Sequence, residues 1–201
     1  MSEHKAIKVI LLGESGVGKT NLIRVTIGKE FDSNIAATLT NSYCESQVNL
    51  GDKQYKFFLW DTAGQEKYRS LNQLFIKDSK VILIVFSIVS KESFQQVDFW
   101  YKYVKDLLGE DDYIVALVAN KSDLYEAEDV VGDDEIKEKA KELGIKFKVT
   151  SALTDAKGFR NFLNEILGDY IKKSHTEKNK GADSLKLEQE QKNNHGGKKC
   201  C

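Results

Sequence analysis

The chain has 201 residues, 41% hydrophobic and 10% aromatic, with 30 lysines and arginines against 31 aspartates and glutamates. That length suits one well-buried domain with a tail rather than two domains and a linker, and a net charge of −1 gives a nucleic-acid role no global electrostatic support. No run approaches the roughly eighteen apolar residues of a membrane span, Met1 to Lys8 lacks an apolar signal-peptide core, and three cysteines cannot build a disulfide framework, so a reducing cytosol is the expected compartment.

In chain order, Ile7 to Leu12 is a short apolar run rich in branched residues, the mark of a strand covered on both faces. A glycine-rich loop follows and opens a helix over Thr20 to Gly28. Tyr43 to Leu50 and Lys53 to Trp60 flank Gly51-Asp52 and predict a hairpin. Val81 to Phe86 and Tyr113 to Ala119 are two more buried-strand runs. Between them Phe94, Val97, Tyr101, Val104 and Leu108 recur at helical spacing. Asp133 to Leu143, closed by Gly144, and Phe159 to Ile171 read as further helices. Strand and helix in alternation predict an α/β doubly wound sheet with one antiparallel pair. From Lys172 onward apolar residues almost vanish apart from Leu185 and Leu187, and eight lysines face four acids. Such a composition buries too little to offset ordering entropy, so residues 172–201 are expected to be a disordered tail behind a domain of residues 1–171. As a flexible coil that tail would span about 30 Å.

Gly13-Glu14-Ser15-Gly16-Val17-Gly18-Lys19-Thr20 matches G-x-x-x-x-G-K-[ST] between a strand and a helix, the context this pattern requires. Glycines at 13, 16 and 18 let successive amides point into one anion cradle, and the following helix N-terminus adds partial positive charge. Backbone at Ser15, Gly16, Val17 and Gly18 would wrap phosphates. Lys19 would place a point charge on the outer ones, and the Thr20 hydroxyl would ligate Mg²⁺. The loop alone does not separate ATP from GTP. The base is chosen by Asn120-Lys121-Ser122-Asp123 at the C-terminal edge of a strand, where open parallel sheets bind ligands. A carboxylate at Asp123 can accept from the ring N–H and the exocyclic amine of guanine, a donor pair adenine lacks.

These residues resemble the N-K-x-D motif of the small GTPases, and the likeness extends along residues 6–171. It implies the P-loop NTPase fold: a mostly parallel six-stranded sheet with one antiparallel edge strand and about five helices. Asp61-Thr62-Ala63-Gly64-Gln65-Glu66 resembles the D-x-x-G-Q segment. By that likeness Asp61 holds Mg²⁺ through water, the Gly64 amide senses the terminal phosphate, and Gln65 orients the attacking water, with Lys19 assisting catalysis. Thr38 matches the threonine that joins Mg²⁺ when a third phosphate is present. Phe31 is either a core aromatic or the ring laid against guanine. Ser151-Ala152-Leu153 resembles the S-A-K loop, whose alanine amide donates to the guanine carbonyl; Leu153 replaces the usual lysine. Cys44 reads as a small strand residue, and His4, His175 and His195 are too scattered for a metal site.

Within the superfamily the chain is most similar to Rab proteins, through Trp60 before Asp61, Tyr68-Arg69-Ser70, the Ser93-Phe94 to Trp100 helix and the terminal Cys200-Cys201. The resemblance implies an effector face on Leu39, Tyr43, Trp60 and Phe75, although Leu39 to Ser42 and Ile35 depart from the common pattern. It implies GTP and GDP as bound nucleotides, an exchange factor, a GTPase-activating protein, effectors, and a dissociation inhibitor or prenylation escort protein. It also implies a monomer held by two geranylgeranyl groups on Cys200 and Cys201 at the cytoplasmic face of an endomembrane, cycling with cytosol and regulating vesicle traffic. The chain's arginines are Arg24, Arg69 and Arg160, none between Gly28 and Trp60 where a built-in arginine finger would be expected, which implies slow intrinsic hydrolysis. The rival readings are a P-loop ATPase or kinase, a GTP-binding scaffold with little turnover, and another signalling switch of the superfamily.

Overall fold

A computed structural model describes residues 6–36, 38, 42–62, 69–109, 112–127 and 130–194, with backbone alone at residues 69–72 and 177–194. Six strands, β1 (Ile7–Leu12), β2 (Ser42–Leu50), β3 (Lys53–Asp61), β4 (Val81–Ser87), β5 (Ile114–Asn120) and β6 (Lys146–Val149), form one sheet in the order β2-β3-β1-β4-β5-β6. Only β2 and β3 pair antiparallel, around the left-handed Gly51; all other neighbours are parallel. The helices are α1 (Lys19–Thr26), α2 (Arg69–Ile76), α3 (Lys91–Gln95), α4 (Val97–Leu108), α5 (Asp133–Leu143) and α6 (Ala156–Asn194). Gln96 alone separates α3 from α4, and with that pair taken as one unit the α-helical units among the described residues number five. This is the expected α/β architecture.

Strand alternation divides the core into two layers. Ile7, Val9 and Leu11 of β1 point to the face covered by α1 and α6, where Leu22, Phe159, Leu163 and Ile166 pack. Ile10 and Leu12 point to the other face, against Ile76, Val97, Trp100 and Val104 of α2 and α4 and Ile136 of α5. Every residue of β4 is buried, which is why its sequence runs apolar without alternation.

Helix ends follow local chemistry. Ser90 caps α3 by accepting from the Ser93 N–H at 3.1 Å. Glu135 reaches back to the Gly132 N–H at 3.0 Å to start α5, and left-handed Gly144 ends it. Two short elements lie outside the sequence expectation, α2 and the four-residue β6. Backbone of the expected tail, residues 172–194, runs on from the domain as part of α6. The cause is that Lys, Glu, Gln, Ala and Leu are good helix formers, and a helix nucleated in packed turns extends at little further cost. Among the described residues no helix is long and apolar enough to cross a membrane.

Candidate nucleotide and metal site

The parallel strands β1, β4 and β5 all end at one edge of the sheet, and a cavity of about 400 Å³ lies beyond it. Ser15, Gly16, Gly18, Lys19 and Thr20 form one wall, Lys121, Asp123, Ala152 and Leu153 another. Across the opening lie Phe31, Asp32, Ser33, Ile35, Ala36 and Thr38. Phe31 is 37% exposed and lines the cavity, so the core-aromatic alternative falls away.

The loop after β1 is built by close approach. Gly13 has φ +143°, and a Cβ there would stand 2.0 Å from the Val85 carbonyl oxygen of β4. Gly18 has φ +99°, and a Cβ would meet the Asn120 amide nitrogen at 2.3 Å. No L side chain fits at either point without backbone or neighbour displacement. The Lys19 ammonium donates to the carbonyls of Gly13 at 2.9 Å and Glu14 at 2.8 Å, which aims its charge along the loop. Burial pushes its pKa down to about 8 against the opposing pull of Asp61 and Glu14.

Three oxygens meet where Mg²⁺ is expected. The Thr20 hydroxyl donates to Asp61 Oδ2 at 2.7 Å and shares a hydrogen bond with the Thr38 hydroxyl at 2.8 Å. Asp61 Oδ1 is buried without a partner among the described residues, and burial raises the carboxyl pKa against the hydrogen bond from Thr20 and the charge of Lys19. Two hydroxyls, a carboxylate and an orphaned buried oxygen fit a hard, oxygen-seeking cation. No cluster of three or more His, Cys, Asp or Glu exists among the described residues, so softer metals have no such site there.

The base wall is knit together by its own hydrogen bonds. Asn120 is 1% exposed: its amide donates to the Val17 carbonyl at 2.8 Å, and its oxygen accepts from the Ala152 N–H at 3.1 Å. The Ala152 amide, which the resemblance gives to guanine, is therefore engaged with Asn120. Ser151 is fully buried, and its hydroxyl donates to Asp123 Oδ1 while accepting from the Leu153 and Thr154 amides. Val17 too is buried, with its carbonyl used by Asn120. Ser151 and Val17 thus hold the walls from behind, Asn120 both lines the cavity and ties its two loops together, and Asp123 and Lys121 face the cavity. Lys121 adopts a left-handed φ of +68° that turns the chain from β5 into the 3-10 turn at Ser122–Leu124.

One support escapes the sequence motifs. Asn21 in the first turn of α1 donates to the Asp32 carbonyl at 2.9 Å and accepts from its N–H at 3.0 Å, tying the Phe31 segment over the cavity. An amide side chain early in the helix is the available signal. Gly64, Gln65, Leu39, Cys200 and Cys201 lie outside the described residues. Three aromatics of the expected effector face do assemble: exposed Tyr43 stacks on the partly buried Trp60 at 4.9 Å between centroids, and Trp60 meets the partly buried Phe75 at 5.6 Å.

A family model described as "Ras family" matches residues 8–172, most of the chain and the whole of the cavity. The chain belongs to the Ras family. It is also similar to the Ras-related protein Rab-21 of Geodia cydonium, 37% identical over 145 residues, which is 72% of this chain and 62% of that relative. The chain thus spans less than two thirds of the length of the curated relative it matches. For this Ras-family chain the geometry agrees with the fold that the motifs implied.

The position of Lys19 generates a pH dependence. Below about pH 8 the ammonium is charged in the empty and the filled cavity alike, so phosphate binding takes up no proton there. Above that value the empty site holds neutral lysine, and an anionic ligand must recruit a proton. Affinity for GDP is expected to be flat up to about pH 8 and to fall above it, approaching about tenfold per pH unit. Titration of the wild type beside Lys19→Arg, which stays charged throughout, isolates this effect from deprotonation of the base.

Proposed function

We propose that this chain is a Rab-type guanine-nucleotide switch that binds GTP and GDP, hydrolyses GTP slowly, and acts from the cytoplasmic face of an endomembrane in vesicle traffic. The observation that carries this reading is the convergence on one cavity of the Gly13–Thr20 loop, the Asp123 carboxylate and the Thr20–Thr38–Asp61 oxygens. A bound Mg²⁺ would neutralise phosphate charge, and its ligands here would be Thr20 and Thr38, with Asp61 beyond a water. Lys19 would hold the outer phosphates, and Asp123 would take the two guanine N–H donors while Ser151 fixes its carboxylate. Gly64 would sense the terminal phosphate and Gln65 would align water, a role supported by the sequence alone. Ordering of the segments around Thr38 and Gly64 by that phosphate would be the switch. Tyr43, Trp60, Phe75 and Leu39 would then report the state to effectors.

Base selection is tested by competing GDP and ATP for the purified protein. GDP should win, and Asp123→Asn should weaken GDP by about two orders of magnitude, since charge-assisted hydrogen bonds are lost. Preference for ATP would favour the ATPase or kinase reading.

Slow turnover is supported by the arginines. Arg24 donates to the Glu30 carbonyl and pairs with Asp32, Arg160 donates to the Val25 carbonyl, and neither lines the cavity. Transition-state charge would therefore be met by a GTPase-activating protein. Single-turnover hydrolysis by the isolated chain should run on the order of 10⁻⁴ s⁻¹ and accelerate with such a partner. Rates near one per second unaided would refute this, and no acceleration by any partner would favour the scaffold reading.

The remaining partners follow from the same proposal: an exchange factor, effectors, and a dissociation inhibitor or prenylation escort. Geranylgeranyl groups on Cys200 and Cys201 would supply the paired anchor that stable attachment requires, at about 0.8 kcal/mol per buried methylene, with Lys198 and Lys199 adding weak attraction to anionic lipid. Replacing both cysteines by serine should move the protein from membranes to cytosol on fractionation; retention on membranes would rule the anchor out.

A further inference from the structure

We propose that Trp100 is a positioning residue for the phosphate loop, holding it from outside the nucleotide cavity through the indole N–H. The inference rests on the reading of Gly13–Thr20 as the phosphate-binding loop of a guanine-nucleotide site.

Trp100 sits in α4, 2% exposed, with Nε1 donating to Glu14 Oε1 at 3.1 Å across 86 residues of sequence. The same Glu14 offers its backbone carbonyl to the Lys19 ammonium at 2.8 Å. An unbroken path of contacts therefore runs from helix to loop to the cation that would meet the phosphates. Neither end is soft. The indole is flanked edge-on by Phe99 at 5.4 Å and Tyr103 at 6.1 Å, and α4 is seated in the apolar layer by Val97, Val104 and Leu108. At the other end Gly13 is packed against Val85 and leaves the loop no slack behind Glu14.

Packing alone does not ask for this arrangement. A phenylalanine would fill the apolar layer without a polar atom, whereas a buried indole needs an acceptor. The acceptor supplied is a carboxylate, and hydrogen bonds to an ionised group are roughly twice as strong as neutral ones. Glu14 does not line the nucleotide cavity, so its carboxylate is not placed to repel the phosphates there. Its side chain instead borders a separate polar hollow shared with Ser90, Glu92 and Gln96 at the start of the α3–α4 unit. The consequence belongs to residence time: loosening this strut frees the loop to open and lets the nucleotide leave.

The test is the dissociation rate of a fluorescent GDP analogue from the full chain with Mg²⁺ present. Trp100→Phe should release it about tenfold faster, the scale of one charge-assisted hydrogen bond. Glu14→Ala, at a half-exposed position that leaves the core untouched, should do the same, and the double variant should be no faster than either single one. Glu14→Gln retains a neutral acceptor oxygen, worth about half the charge-assisted bond, and should release the analogue at a rate between wild type and Glu14→Ala, which separates the hydrogen bond from the charge. The Trp100 indole N–H resonance, assigned by its loss in Trp100→Phe, should move in Glu14→Ala and stay near its place in Glu14→Gln. Wild-type release by Glu14→Ala, or additive effects in the double variant, would overturn the proposal. A wild-type chain that fails to bind the GDP analogue at all would instead overturn the reading of the cavity.

Discussion

One buried carboxamide joins the two halves of the cavity. Asn120 closes β5 and places its N–H on the phosphate loop at Val17 and its oxygen on the base loop at Ala152. An amide head offers a donor and an acceptor at fixed separation, and here each is used. A carboxylate would turn a negative oxygen on the Val17 carbonyl, and an aliphatic side chain would strand two buried polar groups, each at about 1–3 kcal/mol. Because both loops lean on the same head, their spacing is set before any ligand arrives. A ligand must then satisfy phosphate and base walls together, which favours selectivity through preorganisation. The same double use recurs at Ser151, whose hydroxyl turns Asp123 while pinning the two amides that follow it.

The electrostatics of the cavity point in one direction. Lys19 is a buried cation whose charge burial opposes, and Asp61 is a buried anion whose charge burial also opposes. Each stabilises the other, but Asp61 keeps one oxygen without a partner among the described residues. Such a site is poised for further charges: an anion beside the lysine and a cation beside the carboxylate, both in a place where water screens little.

Elements buried on both sides are legible in the sequence, since β1, β4 and β5 lie between two apolar layers and show unbroken branched runs. Helix α5 is legible at both ends because Glu135 and Gly144 mark it chemically. Strand β6 escapes because Lys146 to Val149 is too short to display a period, and α2 because its pattern is brief. The continuation of α6 beyond Ile171 escapes for a different reason: composition reports burial, whereas this stretch is helical by propensity without an apolar stripe. At the site, residue types and spacings identify the loop, the oxygen cluster and the base carboxylate. They cannot distinguish residues that face the cavity from those that brace it, as Ser151 and Val17 do, nor reveal the bond from Trp100, because orientation is a property of the packed fold.

The glycines of the phosphate loop differ in what enforces them. Gly16 has φ +76° and no protein atom within 4 Å of the point a Cβ would occupy, so within the protein a substitution there meets torsional strain, at a position that lines the cavity. Gly18 meets torsion and the Asn120 head together, and Gly13 meets torsion and the backbone of β4. Mutational routes through these positions are therefore unequal. Relief at Gly18 would require a smaller residue at 120, which forfeits the joint between the two loops. At Gly13 no single side-chain change elsewhere could make room, because the obstacle is main chain. Gly13 and Gly18 are thus held by the protein architecture itself, whereas Gly16 is held by torsion and by its place on the cavity wall.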